Sequence, residues 1–147
     1  MDIEARVRAS FDRQGFMQTM GAELVDVCEG SVVIRASFSP GLSQQHGFFH
    51  GGVTATLADN AAGFAAFTTM TAEQQPLSVE FKINLLAPAT GQCLEAQGRV
   101  LRSGFRVKHA QAEVYSIEGD NRTLVAVALA TIAASRAVRE LNSSRNQ

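Results

Sequence analysis

Asp59 sits in a run, 53–67, that otherwise carries no charged side chain. A carboxylate there is costly to bury without a partner, because its charged form gives up water and gains nothing in return. Two readings are open. Asp59 can be held by a local structural bond, with the hydroxyls of Thr54 and Thr56 a turn or so back as donors. Or it can react: an ordinary ionised aspartate activates a water or attacks an electrophilic carbon itself.

His50-Gly51-Gly52 opens the same run. Two glycines leave backbone N–H groups uncovered and let a ligand come close. At a helix start those groups carry partial positive charge, about half an elementary charge. Such an end is either a plain helix start after a loop or a place to hold an anion or a developing oxyanion. Gly51 and Asp59 are eight residues apart, about 12 Å along a helix. A base must come within about 3 Å of the proton it takes. One helix therefore does not easily bring both groups to one carbonyl. Two antiparallel copies about a two-fold axis do, Asp59 of one facing Gly51 of the other. The spacing predicts a site shared across a dimer interface.

Stepping out from these residues, the chain divides into elements that would position them. Ile3, Val7 and Phe11 recur at helical spacing within about 2–20, which predicts an amphipathic helix ending near Gly15, then a loop. Segments 23–28 and 31–38 flank Glu29-Gly30 and read as a hairpin. Segment 40–49 reads as a loop, and 51–70 as a helix with no wide polar face, hence buried. Four strands are expected over 77–86, 92–102, 106–117 and 123–134. Leu94, Ala96, Gly98 and Val100 alternate with Glu95, Gln97 and Arg99, as one buried and one wetter face require. Segment 124–130 is apolar on both faces and suits a strand covered twice. The architecture is α+β: an antiparallel sheet of five or six strands wrapped around one long central helix. Its outer face needs a cover, from a second sheet or a second subunit.

Composition bounds the rest. A length of 147 residues fits one domain, 1–147, with a polar tail at 136–147. At 46% apolar and 18% charged residues the chain can bury a core. A net charge of −1 gives no reason to expect nucleic acid or an anionic membrane as partner. Cys28 and Cys93 form no CxxC pattern, and His46, His50 and His109 have no metal-ligand spacing, so no disulfide, metal or cofactor is expected. Neither Ser39 nor Ser78 lies in a GxSxG elbow. No apolar leader or membrane span is visible, and a cytoplasmic location is expected. Phe48, Phe49 and Phe64 are candidates for an apolar pocket near the motif. Phe11, Phe16, Met17 and Met20 would line a pocket or simply pack.

The stretch His50-Gly51-Gly52-Val53-Thr54-Ala55-Thr56-Leu57-Ala58-Asp59-Asn60 closely resembles the HGG…(A/V)D helix of the PaaI-like, or 4-hydroxybenzoyl-CoA thioesterase-like, hotdog family. Segment 77–89, with Ser78-Val79 at its start and Ala87-Pro88-Ala89 at its end, resembles the strand that follows in that family. The resemblance covers about 15–134 and implies a hotdog fold and an acyl-CoA thioesterase. By position it implies that Asp59 acts as base or nucleophile and that the Gly51 N–H polarises the thioester carbonyl. His50 would help position the thioester, Gln44 would contact it or the attacking water, and Ser78 would hold water beside the carboxylate. Gln44 stands where many relatives have Asn. Asp59 and Ser78 would come from one subunit, Gln44 and Gly51 from its partner, within a dimer or a tetramer built as a dimer of dimers. Gly52, Phe48 and Phe49 are further substrate-binding candidates. The basic segment Arg99, Arg102, Arg106 and Lys108 is either a solvated strand edge or a contact for coenzyme A phosphates, with Arg102 and Arg106 as candidates.

The expected activity is hydrolysis of an acyl-CoA thioester with an aryl or medium-chain acyl group, coenzyme A being part of the substrate. Two alternatives stand beside it. One is a non-catalytic acyl-CoA binder. The other is a hotdog hydratase, which needs a histidine beside the acid.

Overall fold

The computed structural model describes residues 2–136. Six strands form one antiparallel sheet: β1 Ala22–Cys28, β2 Ser31–Ser37, β3 Gln75–Leu85, β4 Cys93–Ser103, β5 Val107–Glu118 and β6 Asn121–Ser135. Their order is β1-β2-β4-β5-β6-β3, so β1 and β3 are the edges. Helix α3, Gly51–Thr68, lies along the inner face, and helices α1, Ile3–Phe11, and α2, Gly15–Met20, precede the sheet in the chain. This is the hotdog arrangement. The expected α+β class, the hairpin, the central helix and the four later strands are all present. Among the described residues no helix is long and apolar enough to cross a membrane.

The N-terminal expectation needs correcting. The helix stops at Phe11, and Gly15 opens a second helix where a loop was expected. A break at Asp12–Gln14 lets both pieces bury their own apolar side: Val7 and Phe11 from α1, Met17 and Met20 from α2. The Gln18 amide stitches the break by donating to the Asp12 carbonyl at 2.7 Å. Gly21, at φ 63°, ends α2 in the left-handed region that glycine enters without strain. The core therefore takes in Val7 and Phe11, ahead of 15–134. Apart from Arg136, the polar tail expected at 136–147 lies outside the described residues.

Helix α3 presses directly on β4. A Cβ on Gly98 would collide with the backbone of Ala61 and Ala62. Ala58, Ala61, Ala62, Ala65 and Ala66 are all buried, and such small side chains let the helix axis sit close to the sheet. At 100° per residue, Gly52, Thr56, Asp59 and Gly63 fall on the side of the helix opposite Ala61. Among these, Gly52 is exposed and the other three are half-buried. The expectation of a helix buried all round is thus modified: α3 keeps one open stripe, and Asp59 is on it.

The outer face of the sheet differs from expectation in two ways. Leu129 of β6 is 57% exposed, so that strand is covered once within the chain, not twice. Glu95, expected on the wetter face, is buried. It is affordable there because two arginines reach it: Arg35 at 2.6 Å and Arg122 at 3.1 Å. The Gln97 amide donates to it as well, at 3.1 Å. Burial pushes the Glu95 carboxyl up, but these donors and charges together outweigh burial and hold it below its ordinary value.

Two predictions follow from this packing. Gly98→Ala should cost about 2–3 kcal/mol in chemical denaturation, since backbone cannot give way as a side chain can. Glu95 binds its proton less readily folded than unfolded. Its stabilisation is therefore complete above the ordinary glutamate pKa of about 4.3 and is lost as pH falls through the lower folded value. Glu95→Gln should lower stability by about 1–2 kcal/mol at neutral pH and by less at acid pH, read from melts across a pH series.

Candidate active site

Asp59 does not bond to Thr54 or Thr56, the donors expected for a structural role. Thr54 is buried, and Thr56 donates back to the Gly52 carbonyl at 2.8 Å. The Asp59 partner is Ser78, whose hydroxyl donates to Oδ1 at 2.7 Å. A bulge makes this contact possible. Ser78 pairs with Ile132 but Glu80 pairs with Thr131, so Val79 is an extra residue on β3. Phe81 and Ile83 pair with Ala130 and Ala128 and share their inner face. Unbroken alternation would turn Ser78 outward; the extra residue turns it in, toward α3.

The helix start is built differently. The His50 backbone N–H donates to the Leu42 carbonyl at 2.8 Å, which anchors the loop to the helix. The His50 ring Nδ1 accepts the Gly52 N–H at 2.8 Å and so caps the helix. Val53 and Thr54 return their N–H groups to the His50 carbonyl. Gly51 alone of these first residues has an N–H with no acceptor among the described residues. Of the two glycine amides nominated from sequence, Gly51 is free and Gly52 is committed within the chain.

Two clefts flank α3. One, of about 460 Å³, is lined by Gln44, Phe48, Phe49, Gly51 and Thr54, and by Leu85 to Ala89 at the end of β3. Gln44 turns its Oε1 inward to the loop, accepting the N–H groups of His46 and Phe48. Phe49 is buried edge-on against Phe38, with ring centroids 5.2 Å apart. The other cleft, of about 320 Å³, contains Asp59 and Ser78 with Asn60, Gly63, Phe64 and Gln14. Within one chain, then, Gly51, Gln44, Phe48 and Phe49 come together, and Asp59 and Ser78 come together, but the two groups do not share a cleft. His50 lies nine residues before Asp59, at the other end of the same helix turn series, and is occupied as a cap.

Arg102 and Arg106 are exposed near the β4–β5 turn and line neither cleft. Lys108, grouped with them in the sequence, is buried on the opposite face and donates to the Ser103 hydroxyl at 3.0 Å. Of the apolar candidates, Phe64 borders the Asp59 cleft; Phe11, Met17 and Met20 pack in the core, and Phe16 is exposed. Sequence reasoning missed Gln14, Asn60 and Gly63. Asn60 was legible as a polar residue beside Asp59. Gln14 belongs to a distant segment, and nothing in its spacing tied it to the helix.

The chain thus sets an acid on the open stripe of α3 and an uncommitted N–H at the start of the same helix. Comparison with known proteins identifies the family. The model of the thioesterase superfamily matches residues 46–122, and the chain belongs to that superfamily. A solved thioesterase family protein from Silicibacter pomeroyi is 36% identical, with a TM-score of 0.89, over 90% of this chain and 98% of that one. The Escherichia coli PaaI protein from the phenylacetic acid degradation operon shares the fold at a TM-score of 0.81 and 18% identity, over 90% of this chain and 93% of that one. A 1,4-dihydroxy-2-naphthoyl-CoA hydrolase of Listeria monocytogenes is 26% identical over 122 residues, 83% of this chain and 97% of that protein.

Removing the Ser78 hydroxyl deprives the carboxylate of its one donor among the described residues while leaving its charge. Ser78→Ala should lower thioester turnover about 10-fold with little change in melting temperature, measured by thiol release and calorimetry.

Proposed function

We propose that the chain hydrolyses an acyl-CoA thioester at two equivalent sites, each shared between the subunits of a homodimer. The observation that carries this reading is the division of the machinery. Asp59, bonded to Ser78 of β3, and the free Gly51 N–H sit on one helix but open into different clefts. A second copy, antiparallel to the first, brings the missing half to each.

The sheet edge supports the same partner. β3 is an 11-residue edge strand with one side unpaired. Leu77, Val79, Phe81 and Leu85 along it are exposed, Val79 at 63%. A long apolar edge is a template for another strand, and in a lone chain it is a liability. Phe81 and Leu85 share the helix side of the sheet, next to the open stripe of α3. A dimer formed along β3 buries strand edge and stripe together. Whether two such dimers pair through the outer face, where Leu129 is exposed, is the further step to a tetramer.

In this site the thioester carbonyl oxygen accepts from the Gly51 N–H of one subunit, at the positive end of α3. Asp59 of the other subunit takes a proton from water as that water attacks the carbonyl carbon, or attacks the carbon itself. Ser78 keeps the carboxylate pointed at the reacting centre. On the water route, collapse of the oxyanion expels the coenzyme A thiolate, which takes up the proton held by Asp59, and releases the acid. On the direct route it leaves the acyl group as an anhydride on Asp59, which water then hydrolyses to the acid and the free carboxylate. Gln44 offers its remaining amide N–H groups to the carbonyl or the water, and His50 fixes the helix start and thereby Gly51. Phe48, Phe49 and the backbone around Gly52 bound the thioester arm. Arg102 and Arg106 serve the coenzyme A phosphates only if the nucleotide reaches the β4–β5 turn. An aryl or medium-chain acyl group fits the apolar walls, and the Listeria relative is named for an aromatic acyl-CoA. A cytoplasmic setting accords with a coenzyme A ester as substrate.

Asp59→Asn should lower turnover of a panel of acyl-CoA esters by roughly 10²–10⁴-fold while fold and oligomer survive. Turnover near that of the unaltered protein would remove Asp59 from the mechanism. Tight acyl-CoA binding without hydrolysis by the unaltered protein would favour a binding role instead. Sharing has its own signature. Gly51→Val and Asp59→Asn chains, each inactive alone, should regain about a quarter of full activity when mixed and allowed to exchange, because half the dimers are mixed and each has one intact site. Absence of any recovery, with exchange demonstrated, would place the whole site in one chain.

A further inference from the structure

Two residues on the flank of Asp59 weaken the free chain and gain nothing from it. Gly63, one turn beyond Asp59, lies in the interior of α3, where glycine is among the least favourable residues. No atom of the chain comes within 4 Å of the place its Cβ would occupy. Its backbone is not in the positive-φ region either. Gly98 has a steric reason to be glycine, and Gly63 has none within the chain. Asn60 is the second case. Its Oδ1 is buried without a hydrogen-bond partner, and its amide nitrogen makes no hydrogen bond among the described residues. A buried acceptor left unmatched is destabilising, and native chains seldom keep one without a use.

Both residues line the cleft that holds Asp59 and Ser78. Phe64 and Pro76 give that cleft apolar wall, and Gln14 reaches it from the link between α1 and α2. The Asn60 carboxamide is bound to nothing, so rotation about its last torsion presents either its oxygen or its amide hydrogens to a ligand.

We propose that Gly63 and Asn60 select the acyl group: Gly63 leaves depth beside Asp59 for a ring-sized acyl group, and Asn60 hydrogen-bonds a polar substituent on it. The inference rests on the thioesterase reading above and adds to it the residues that set specificity. A bare methylene difference in such a pocket changes kcat/KM by roughly 10–200-fold, and a lost hydrogen bond to a substrate hydroxyl can change it by more.

The test compares acetyl-CoA, benzoyl-CoA and 3-hydroxybenzoyl-CoA by thiol release on the full chain. Gly63→Val should lower kcat/KM for benzoyl-CoA at least roughly 30-fold more than for acetyl-CoA. Gly63→Ala should raise the melting temperature, because alanine suits a helix interior, and should shift selectivity in the same direction by less. The unaltered protein should prefer the hydroxylated ring, and Asn60→Ala should abolish that preference. Equal loss across the three esters in Gly63→Val and Gly63→Ala would overturn the proposal, as would a hydroxyl preference that survives Asn60→Ala. Dissociation of the oligomer by Gly63→Val on size exclusion would also overturn it, since the glycine would then serve a subunit contact. If the unaltered protein cleaves none of a broader set of coenzyme A esters, the thioesterase reading fails and this inference with it. If it cleaves them but the ratios do not move, only this inference fails.

Discussion

The close approach of Ala61 to Gly98 governs most of what is functional in this chain. Backbone meets backbone there, so α3 has one height above the sheet and one rotation about its axis. Once Ala61 faces β4, geometry dictates that Gly52, Thr56, Asp59 and Gly63 face the other way. Helix α1 then covers the far half of that open side: Phe11 packs on Phe64 at 5.7 Å between centroids, and the Arg6 guanidinium lies 4.4 Å over the Phe67 ring. The covering stops beside Asp59, where the α1–α2 link passes. The Asp59 carboxylate is left uncovered on a helix that is otherwise part of the core, and its position is as rigid as the core itself.

The same rigidity explains why the single chain looks unfinished. A carboxylate and an oxyanion donor fixed on one straight helix stay about 12 Å apart along its axis, whatever the loops do. The sheet offers its unpaired edge, β3, on the same side as the open stripe. The residue that aims Ser78, the bulged Val79, is itself exposed along that edge. In the proposed dimer, strand pairing, burial of apolar edge residues and completion of the site are coupled demands, and one two-fold operation answers all of them.

Much of this was legible in the residues alone. Alternation marked β4 correctly along Leu94, Ala96 and Gly98, and the four later strands end within a few residues of where they were expected. The helix and its start were legible because an apolar run opened by two glycines has few other readings. What escaped was whatever depends on partners remote in sequence. Glu95 looked like a wet-face residue because Arg35 and Arg122, which make its burial tolerable, lie on other strands. Local spacing offered Asp59 only hydroxyls from its own helix as structural partners, and Ser78 was placed beside it by the family resemblance alone. Its actual partner depends on a single inserted residue in β3, and a bulge leaves no trace in a strand whose every residue is compatible with extended backbone. The break between α1 and α2 was missed for a similar reason: Gln18 can close it only once the chain has turned.

Helix α3 also shows how a chain accommodates residues that do not favour its fold. Asp59, Asn60 and Gly63 fall within five positions of its centre, and each is poorer than alanine in a helix interior. The deficit is offset at the ends. His50 caps the start by taking the Gly52 N–H, and Arg6 caps the finish by donating to the carbonyls of Phe67, Met70 and Thr71 at 2.8–2.9 Å. The Gly52 N–H is one of the donors a helix leaves unmatched at its start, and the three carbonyls lie in and just past the last turn, so these bonds strengthen the ends without touching the middle. Arg6 does so from a different helix, which ties the covering of the far stripe to the capping of α3. The arrangement separates two regions by position: the ends and the sheet-facing alanines hold the helix in place, and the centre of the open side carries the residues that line the Asp59 cleft.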